Sequence, residues 1–191
     1  LELANRYSSG KVINFTSDKV YQNIEKKSLK ESDYLKGYDP YSLSKSCSDL
    51  IGQCLNNKFN KKINKLKITT LRCGNLIGGG DWSENRILSD YFNSYIKKKP
   101  LIIRNPGSIR PWQHVINSIN IIDQILKINI PQIYDTFNIG PNNSNNTVKD
   151  ILNKLNKLND KKVKIENKNI KEYKETKYLR LNNNKSKKKF N

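Results

Sequence analysis

Short runs of apolar and β-branched residues alternate along the chain with longer stretches in which apolar residues return every three or four positions. The runs Lys11–Thr16, Leu66–Arg72 and Leu101–Ile103 predict strands, and the stretches Tyr41–Leu55 and Ile87–Ile96 predict the helices between them. Farther on, Val115–Ile128 predicts a helix, Thr136–Ile139 a short strand leading into Gly140-Pro141, Thr147–Leu158 a helix and Lys162–Ile165 a strand. Strands alternating with helices in this way predict an α/β fold with a parallel sheet. Asn182–Asn191 is polar and lysine-rich, and is expected to be a frayed or disordered end. No run of about 18 apolar residues occurs, which excludes a spanning helix.

Composition changes this picture in two ways. The 191 residues contain no Met, and the opening Leu1-Glu2-Leu3-Ala4-Asn5-Arg6-Tyr7 reads like the last turns of an amphipathic helix, so an amino-terminal truncation is expected. The net charge of +19 raises the prospect of a polyanion partner, because dense positive charge attracts nucleic acid or anionic membrane without a built site. However, 30 of the 36 basic residues are Lys, whereas bidentate phosphate and base contacts favour Arg. Lysine accompanies abundant Asn and Ile in every segment, so it reads as solvating surface, and neither nucleic acid nor membrane is expected as partner. Cys47, Cys54 and Cys73 lack paired metal spacing and His114 is the sole histidine, so no metal site is expected. With no secretory segment at the start, the expected location is cytoplasmic.

Chemistry concentrates around Tyr41-Ser42-Leu43-Ser44-Lys45, which places a phenol and an ammonium one helical turn apart. Tyr7/Lys11, Tyr95/Lys99 and Tyr173/Lys177 share that spacing, so context must single out Tyr41. Asp39-Pro40 forms a turn ahead of it, and a small-residue helix pattern follows. Twenty-two residues earlier, Thr16-Ser17-Asp18-Lys19 closes the first strand, at the carboxyl end where open parallel sheets gather ligands. Both groups can therefore converge on one crevice.

Taken in order, Thr16-Ser17-Asp18-Lys19, Gly37-Tyr38-Asp39-Pro40-Tyr41-Ser42-x-Ser44-Lys45, Gly78-Gly79-Gly80-Asp81-Trp82, Ile103-Arg104-Asn105-Pro106-x-x-Ile109-Arg110-Pro111-Trp112-Gln113-His114-Val115, Phe137-Asn138-Ile139-Gly140-Pro141 and Glu175-x-x-Tyr178-Leu179 resemble the extended short-chain dehydrogenase/reductase superfamily, and within it the nucleotide-sugar 4,6-dehydratases of the CDP-glucose type. The resemblance implies a partial Rossmann-like doubly wound parallel sheet plus a smaller α/β substrate-binding region. Residues 1–80 would form the carboxyl-terminal half of the NAD-binding domain. Residues 81–191 would be mainly the nucleotide-sugar-binding region, with some segments returning to the sheet. One departure is plain: none of the nine glycines forms the G-x-G-x-x-G turn that cradles a dinucleotide pyrophosphate. The chain is therefore expected to be a fragment, inactive by itself.

In such enzymes NAD is the cofactor and CDP-glucose becomes CDP-4-keto-6-deoxyglucose, a deoxysugar precursor of lipopolysaccharide O-antigen. Carried over by motif, Tyr41 takes the sugar 4-hydroxyl proton. Lys45 favours the phenolate, lowering the tyrosine pKa from about 10, and holds the nicotinamide ribose, with Thr16 beside the cofactor. Ser17 hydrogen-bonds the reacting oxygen and Asp18 protonates the departing 6-hydroxyl. Lys19 stands where related dehydratases carry a Glu base, and is either a base of lowered pKa or an electrostatic stabiliser of the enolate. Asn75, Arg86 and Arg110 are the candidate pyrophosphate donors, Arg suiting bidentate contact, and Trp112 and Glu175 complete the substrate set. His114 is expected to be structural. The resemblance also implies a homodimer packed through the Tyr41 helix. Two other readings stand: a nucleotide-sugar epimerase of the same superfamily, which needs no elimination acid, and a lysine-rich polyanion-binding protein on a degenerate scaffold.

Overall fold

β2 (Lys67–Cys73) is the structural centre, lying between two parallel neighbours, β1 (Lys11–Ser17) and β6 (Tyr134–Ile139), in the order β1-β2-β6. The register sets Lys11 opposite Lys67 and Ile68 opposite Tyr134, so every pairing joins segments distant in sequence. The computed structural model describes residues 10–22, 27–54, 66–128, 134–142, 145–168 and 176–190. The opening Leu1–Tyr7, Leu55 at the end of the predicted Tyr41 helix, and Glu175 lie outside them.

Alternation along the strands gives the sheet two unlike faces. On one face, α1 (Pro40–Cys54) covers Asn14, Thr16, Thr70 and Arg72. On the other, α3 (Val115–Lys127) and α5 (Asn184–Phe190) cover an apolar cluster of Leu71, Cys73, Ile125, Phe137, Ile139 and Phe190. Helices on both sides of a parallel sheet make the doubly wound arrangement that the sequence predicts. Two short parallel pairs stand apart from this sheet: β3 (Leu76–Ile77) with β5 (Gln113–His114), and β4 (Leu101–Ile103) with β7 (Ile165–Asn167). The latter joins α2 (Ile87–Lys97) and α4 (Val148–Leu158) around a second core of Tyr91, Leu101, Ile103, Leu152 and Val163.

Local chemistry explains the boundaries. Pro40 opens α1, where its missing N–H costs nothing, and Asp39 accepts from the Ser42 N–H at 3.0 Å. Gly37 must lack a side chain, because a Cβ there would meet the Ser42 backbone at 2.3 Å. Thr147 and Asp150 form a reciprocal capping box at the start of α4. His114 is structural, as expected: its Nδ1 accepts from the Ile116 N–H at 3.2 Å and caps α3. Lys11 closes the other end of α3, donating to the carbonyls of Ile125, Leu126 and Ile128.

Two expectations change. Asn182–Asn191 is not a frayed end: Asn184–Phe190 folds as α5, and Phe190, 7% exposed, packs edge-on against Phe137 at 4.8 Å between centroids. One aromatic anchor among the lysines, with the Ser186 hydroxyl donating to Asn138 O, outweighs the polar composition. The last strand is displaced, with β7 beginning at Ile165 where the predicted strand ends.

The outward face of α1 differs from the rest of the surface. Leu43, Leu50 and Ile51 are exposed, as are Cys47 and Cys54, and both charged residues of the helix, Lys45 and Asp49, turn towards the sheet. Among the described residues no helix is long and apolar enough to cross a membrane.

Candidate active site

β1 ends on a buried polar triad. Ser17 caps the single 3₁₀ turn Asp18–Val20, its Oγ accepting from the Lys19 N–H at 3.2 Å and donating to Asp18 Oδ1 at 3.0 Å. Asp18 is only 2% exposed, and its other oxygen, Oδ2, has no hydrogen-bond partner. Burial disfavours the carboxylate and raises the Asp18 pKa above its ordinary value; the Ser17 hydroxyl and the charges of Arg110 and Lys19 pull the other way and do not offset it. An orphaned, buried carboxyl oxygen gives up hydration with no donor in exchange, which is the physical cause of the raised pKa.

Tyr41 faces this turn from the first turn of α1. It is 52% exposed, and the Lys19 ammonium stands 5.9 Å from its ring centroid. Lys45, one helical turn on, donates to the Phe15 carbonyl at 3.2 Å, which ties α1 to β1 just before Ser17. That contact uses one of three ammonium protons, so donor capacity remains for a ribose hydroxyl. Thr16 points elsewhere, its hydroxyl donating to Leu71 O at 3.3 Å and to Asp49 at 3.4 Å beneath α1.

Arg110 is buried close enough for its charge to act on Asp18, and it donates to the Ile109 carbonyl at 2.8 Å. What brings it there is Gly74, directly after β2, where a Cβ would lie 2.3 Å from the Pro111 carbonyl. Trp112 follows, half-buried, and the Asn75 carbonyl accepts from the Gln113 N–H at 2.9 Å. Arg86 is not gathered in. It precedes α2 with its side chain 66% exposed, paired with Asp81 at 3.5 Å. Cys73, at the end of β2, is buried, which pushes its thiol up to about 12 and leaves it no nucleophile.

A second buried constellation lies under α1. Asp49, fully buried, accepts from Arg72 twice (Nε to Oδ2 at 2.7 Å, Nη2 to Oδ1 at 2.9 Å), from Gln53 at 3.0 Å and from the Tyr134 hydroxyl at 3.1 Å. Arg72 Nη1 donates to the Tyr21 hydroxyl and to the Glu31 carbonyl, both at 2.9 Å, and the guanidinium sits 4.9 Å from the Tyr21 ring centroid. Tyr21 in turn donates to Asn138 Oδ1. Burial alone would raise the Asp49 pKa, but the Arg72 hydrogen bonds and charge outweigh it and hold the carboxyl below its ordinary value. Sequence reading misses this group. Its signal is an Arg near the end of a strand between Leu71 and Cys73, which if buried demands a carboxylate partner, and Asp49 on the facing helix is available.

The parallel sheet with helices on both faces is a Rossmann-like α/β fold, and its first strand ends at the Ser17-Asp18 turn opposite the helix that carries Tyr41 and Lys45. The chain belongs to the NAD dependent epimerase/dehydratase family, whose model matches residues 1–140. CDP-glucose 4,6-dehydratase of Salmonella typhimurium (strain LT2) is 38% identical over 138 residues, which cover 68% of this chain and 38% of that protein. Among solved structures, dTDP-glucose 4,6-dehydratase from Bacillus anthracis in complex with NAD superposes with a TM-score of 0.80 at 23% identity, over 99% of this chain and 58% of that one. UDP-glucuronic acid 4-epimerase from Bacillus cereus, in complex with UDP-glucuronic acid and NAD, gives 0.85 at 17% identity, over 100% and 59%. The chain thus spans less than two thirds of the length of each.

Proposed function

We propose that the chain forms the catalytic and sugar-binding part of a nucleotide-sugar 4,6-dehydratase that converts CDP-glucose to CDP-4-keto-6-deoxyglucose. The observation that carries this reading is Asp18: a buried carboxyl with an unpartnered oxygen and a raised pKa, next in sequence to Lys19, whose ammonium stands over the Tyr41 ring. A carboxyl that keeps its proton can deliver it to the departing 6-hydroxyl, a step that epimerisation at C4 does not contain.

NAD, when bound, accepts a hydride from the sugar and returns it, so that none is consumed. Lys45 and the half-exposed Tyr41 suit its nicotinamide ribose, whereas no glycine turn in this sequence matches a pyrophosphate cradle. Tyr41, as a phenolate stabilised by the Lys45 ammonium, takes the proton of the sugar 4-hydroxyl and becomes the neutral phenol, with Ser17 hydrogen-bonding the same oxygen. The resulting 4-ketone acidifies C5–H. Lys19 as a neutral amine removes that proton, or as an ammonium stabilises the enolate while solvent takes the proton; Asp18 gives its proton to O6, water departs, and C5 is reprotonated as the hydride returns to C6. Thr16 is placed on the structural side of the strand in this scheme, because its hydroxyl is engaged beneath α1. Arg110 binds the diphosphate with Asn75 and Trp112 alongside, while Arg86 reaches it only by leaving Asp81.

Residues 1–80 on this reading complete the cofactor domain and 81–191 mainly hold the nucleotide sugar. The uncharged apolar face of α1 is where a second copy packs, and free thiols such as Cys47 and Cys54 suit a reducing cytoplasm. The test is incubation with CDP-glucose and NAD, with mass spectrometry for loss of water. It is run on the 191-residue chain and on a fusion that joins to it the part of the Salmonella relative lying outside the matched region. Turnover is expected in the fusion, lowered by about 10²–10⁴ in its Asp18→Asn variant. Inversion at C4 with no loss of water establishes the epimerase reading instead.

A further inference from the structure

We infer that Asp49, Arg72 and Tyr21 form a clamp that sets the spacing between the Tyr41–Lys45 helix and the Ser17–Asp18–Lys19 turn, making Arg72 a positioning residue of the site. The inference rests on the reading that Tyr41 and Asp18 act on one sugar. Asp49 lies on α1, two turns after Tyr41 and one after Lys45, on the side of the helix that faces the sheet. Tyr21 immediately follows the 3₁₀ turn that begins with Asp18. Among the described residues Arg72 on β2 bonds to both, reaching Asp49 with Nε and Nη2 and Tyr21 with Nη1. The two halves of the proposed chemistry are therefore hung from the two ends of one guanidinium.

The clamp is stiff for three physical reasons. A guanidinium presents its donors in a fixed plane, so a bidentate carboxylate on one edge fixes where the third nitrogen points. Asp49 accepts from Arg72, Gln53, Tyr134 and Thr16, so its lone pairs are occupied and α1 has no alternative set to slide towards. Tyr21 is anchored behind by Asn138, whose side-chain amide donates to Leu29 O and Asn182 O and whose backbone N–H donates to Glu31. Movement of α1 by the width of one hydrogen bond would leave several buried polar groups unpaired together.

The test uses two NMR readouts on the protein: the titration of the Asp18 side-chain carbon, and the nuclear Overhauser effect between the Lys19 side chain and the Tyr41 ring. Arg72→Lys keeps the charge but loses the fork, and Tyr21→Phe keeps the ring but loses the bridging hydroxyl. The second variant decides the matter if the first does not fold. Leu152→Ala, in the other core, serves as a control for loss of stability alone. Either clamp variant is expected to bring the Asp18 titration down by about one pH unit or more and to weaken the Lys19–Tyr41 effect, with both unchanged in the control. An elevated Asp18 titration that neither variant moves overturns the clamp and leaves the proposed function standing. An ordinary Asp18 titration in the unsubstituted protein overturns both.

Discussion

The crevice at the end of β1 and the layer beneath α1 each hide one aspartate and treat it in opposite ways. Asp49 is surrounded by donors from four side chains, Arg72, Gln53, Tyr134 and Thr16, and is held ionised. Asp18 has one hydroxyl partner and one empty oxygen, and is held towards its neutral form. Burial is nearly equal, 0% and 2% exposed, so the difference lies in the partners. Saturation with donors holds one carboxyl ionised, while a shortage of them leaves the other with a raised pKa.

The sharpest way to break this contrast is to remove the guanidinium. Arg72→Met leaves the Asp49 charge buried without its counterion and should cost about 3–5 kcal/mol in urea unfolding. Asp49→Leu with Arg72→Met should recover most of that, since it removes both charges together. On the apolar face of the same sheet, Phe190→Ala should cost about 3 kcal/mol, and by the same amount from acid to neutral pH, because no ionisable group is exposed by the cavity. Tyr21→Phe, which deletes one hydroxyl from the clamp, should cost about 1 kcal/mol.

The smallest effect carries the most information, because its sign is reversed. Asp18 has a folded pKa above its unfolded value, so its contribution to stability is fully present below the unfolded pKa and is lost as pH rises through the folded one. Asp18→Asn should therefore raise Tm by a few degrees at pH 7 and lose that advantage as pH falls through the carboxyl range. Asp49 behaves conversely: its lowered pKa contributes stability above the unfolded value, lost as pH falls through the folded one. Differential scanning calorimetry from pH 3 to pH 7 on Asp18→Asn reads both trends, and a Tm gain that grows in acid would contradict the assignment of Asp18.

Much of this was legible from periodicity. The Lys11–Thr16, Leu66–Arg72 and Leu101–Ile103 strands and the four longest described helices fall within a residue or two of their predicted bounds, because each matches a hydrophobic period. The proximity of Ser17–Lys19 and Tyr41 was also legible, since β1 ends at one and α1 starts at the other. The clamp was not, because Asp49 and Arg72 are separated by a crossover and each looks like surface charge until the sheet is assembled. Thr16 was assigned to the cofactor by its place in a motif, but strand alternation turns its hydroxyl under α1. The terminal helix escaped for a compositional reason: six polar residues conceal the single phenylalanine that docks it.

The register of the central sheet also bears on how the molecule is made. Each of its pairings spans a long crossover: Lys11 must wait for Lys67, and Ile68 for Tyr134. At roughly 5–20 residues per second on the ribosome, β6 emerges seconds after β2. During that interval Arg72 can already find Asp49, made before it, but Tyr134 and Asn138 do not yet exist. The ion pair is thus available as an early local latch that holds α1 against β2 with one sheet edge still open, and variants that weaken it should aggregate during synthesis more than their equilibrium stability alone would suggest.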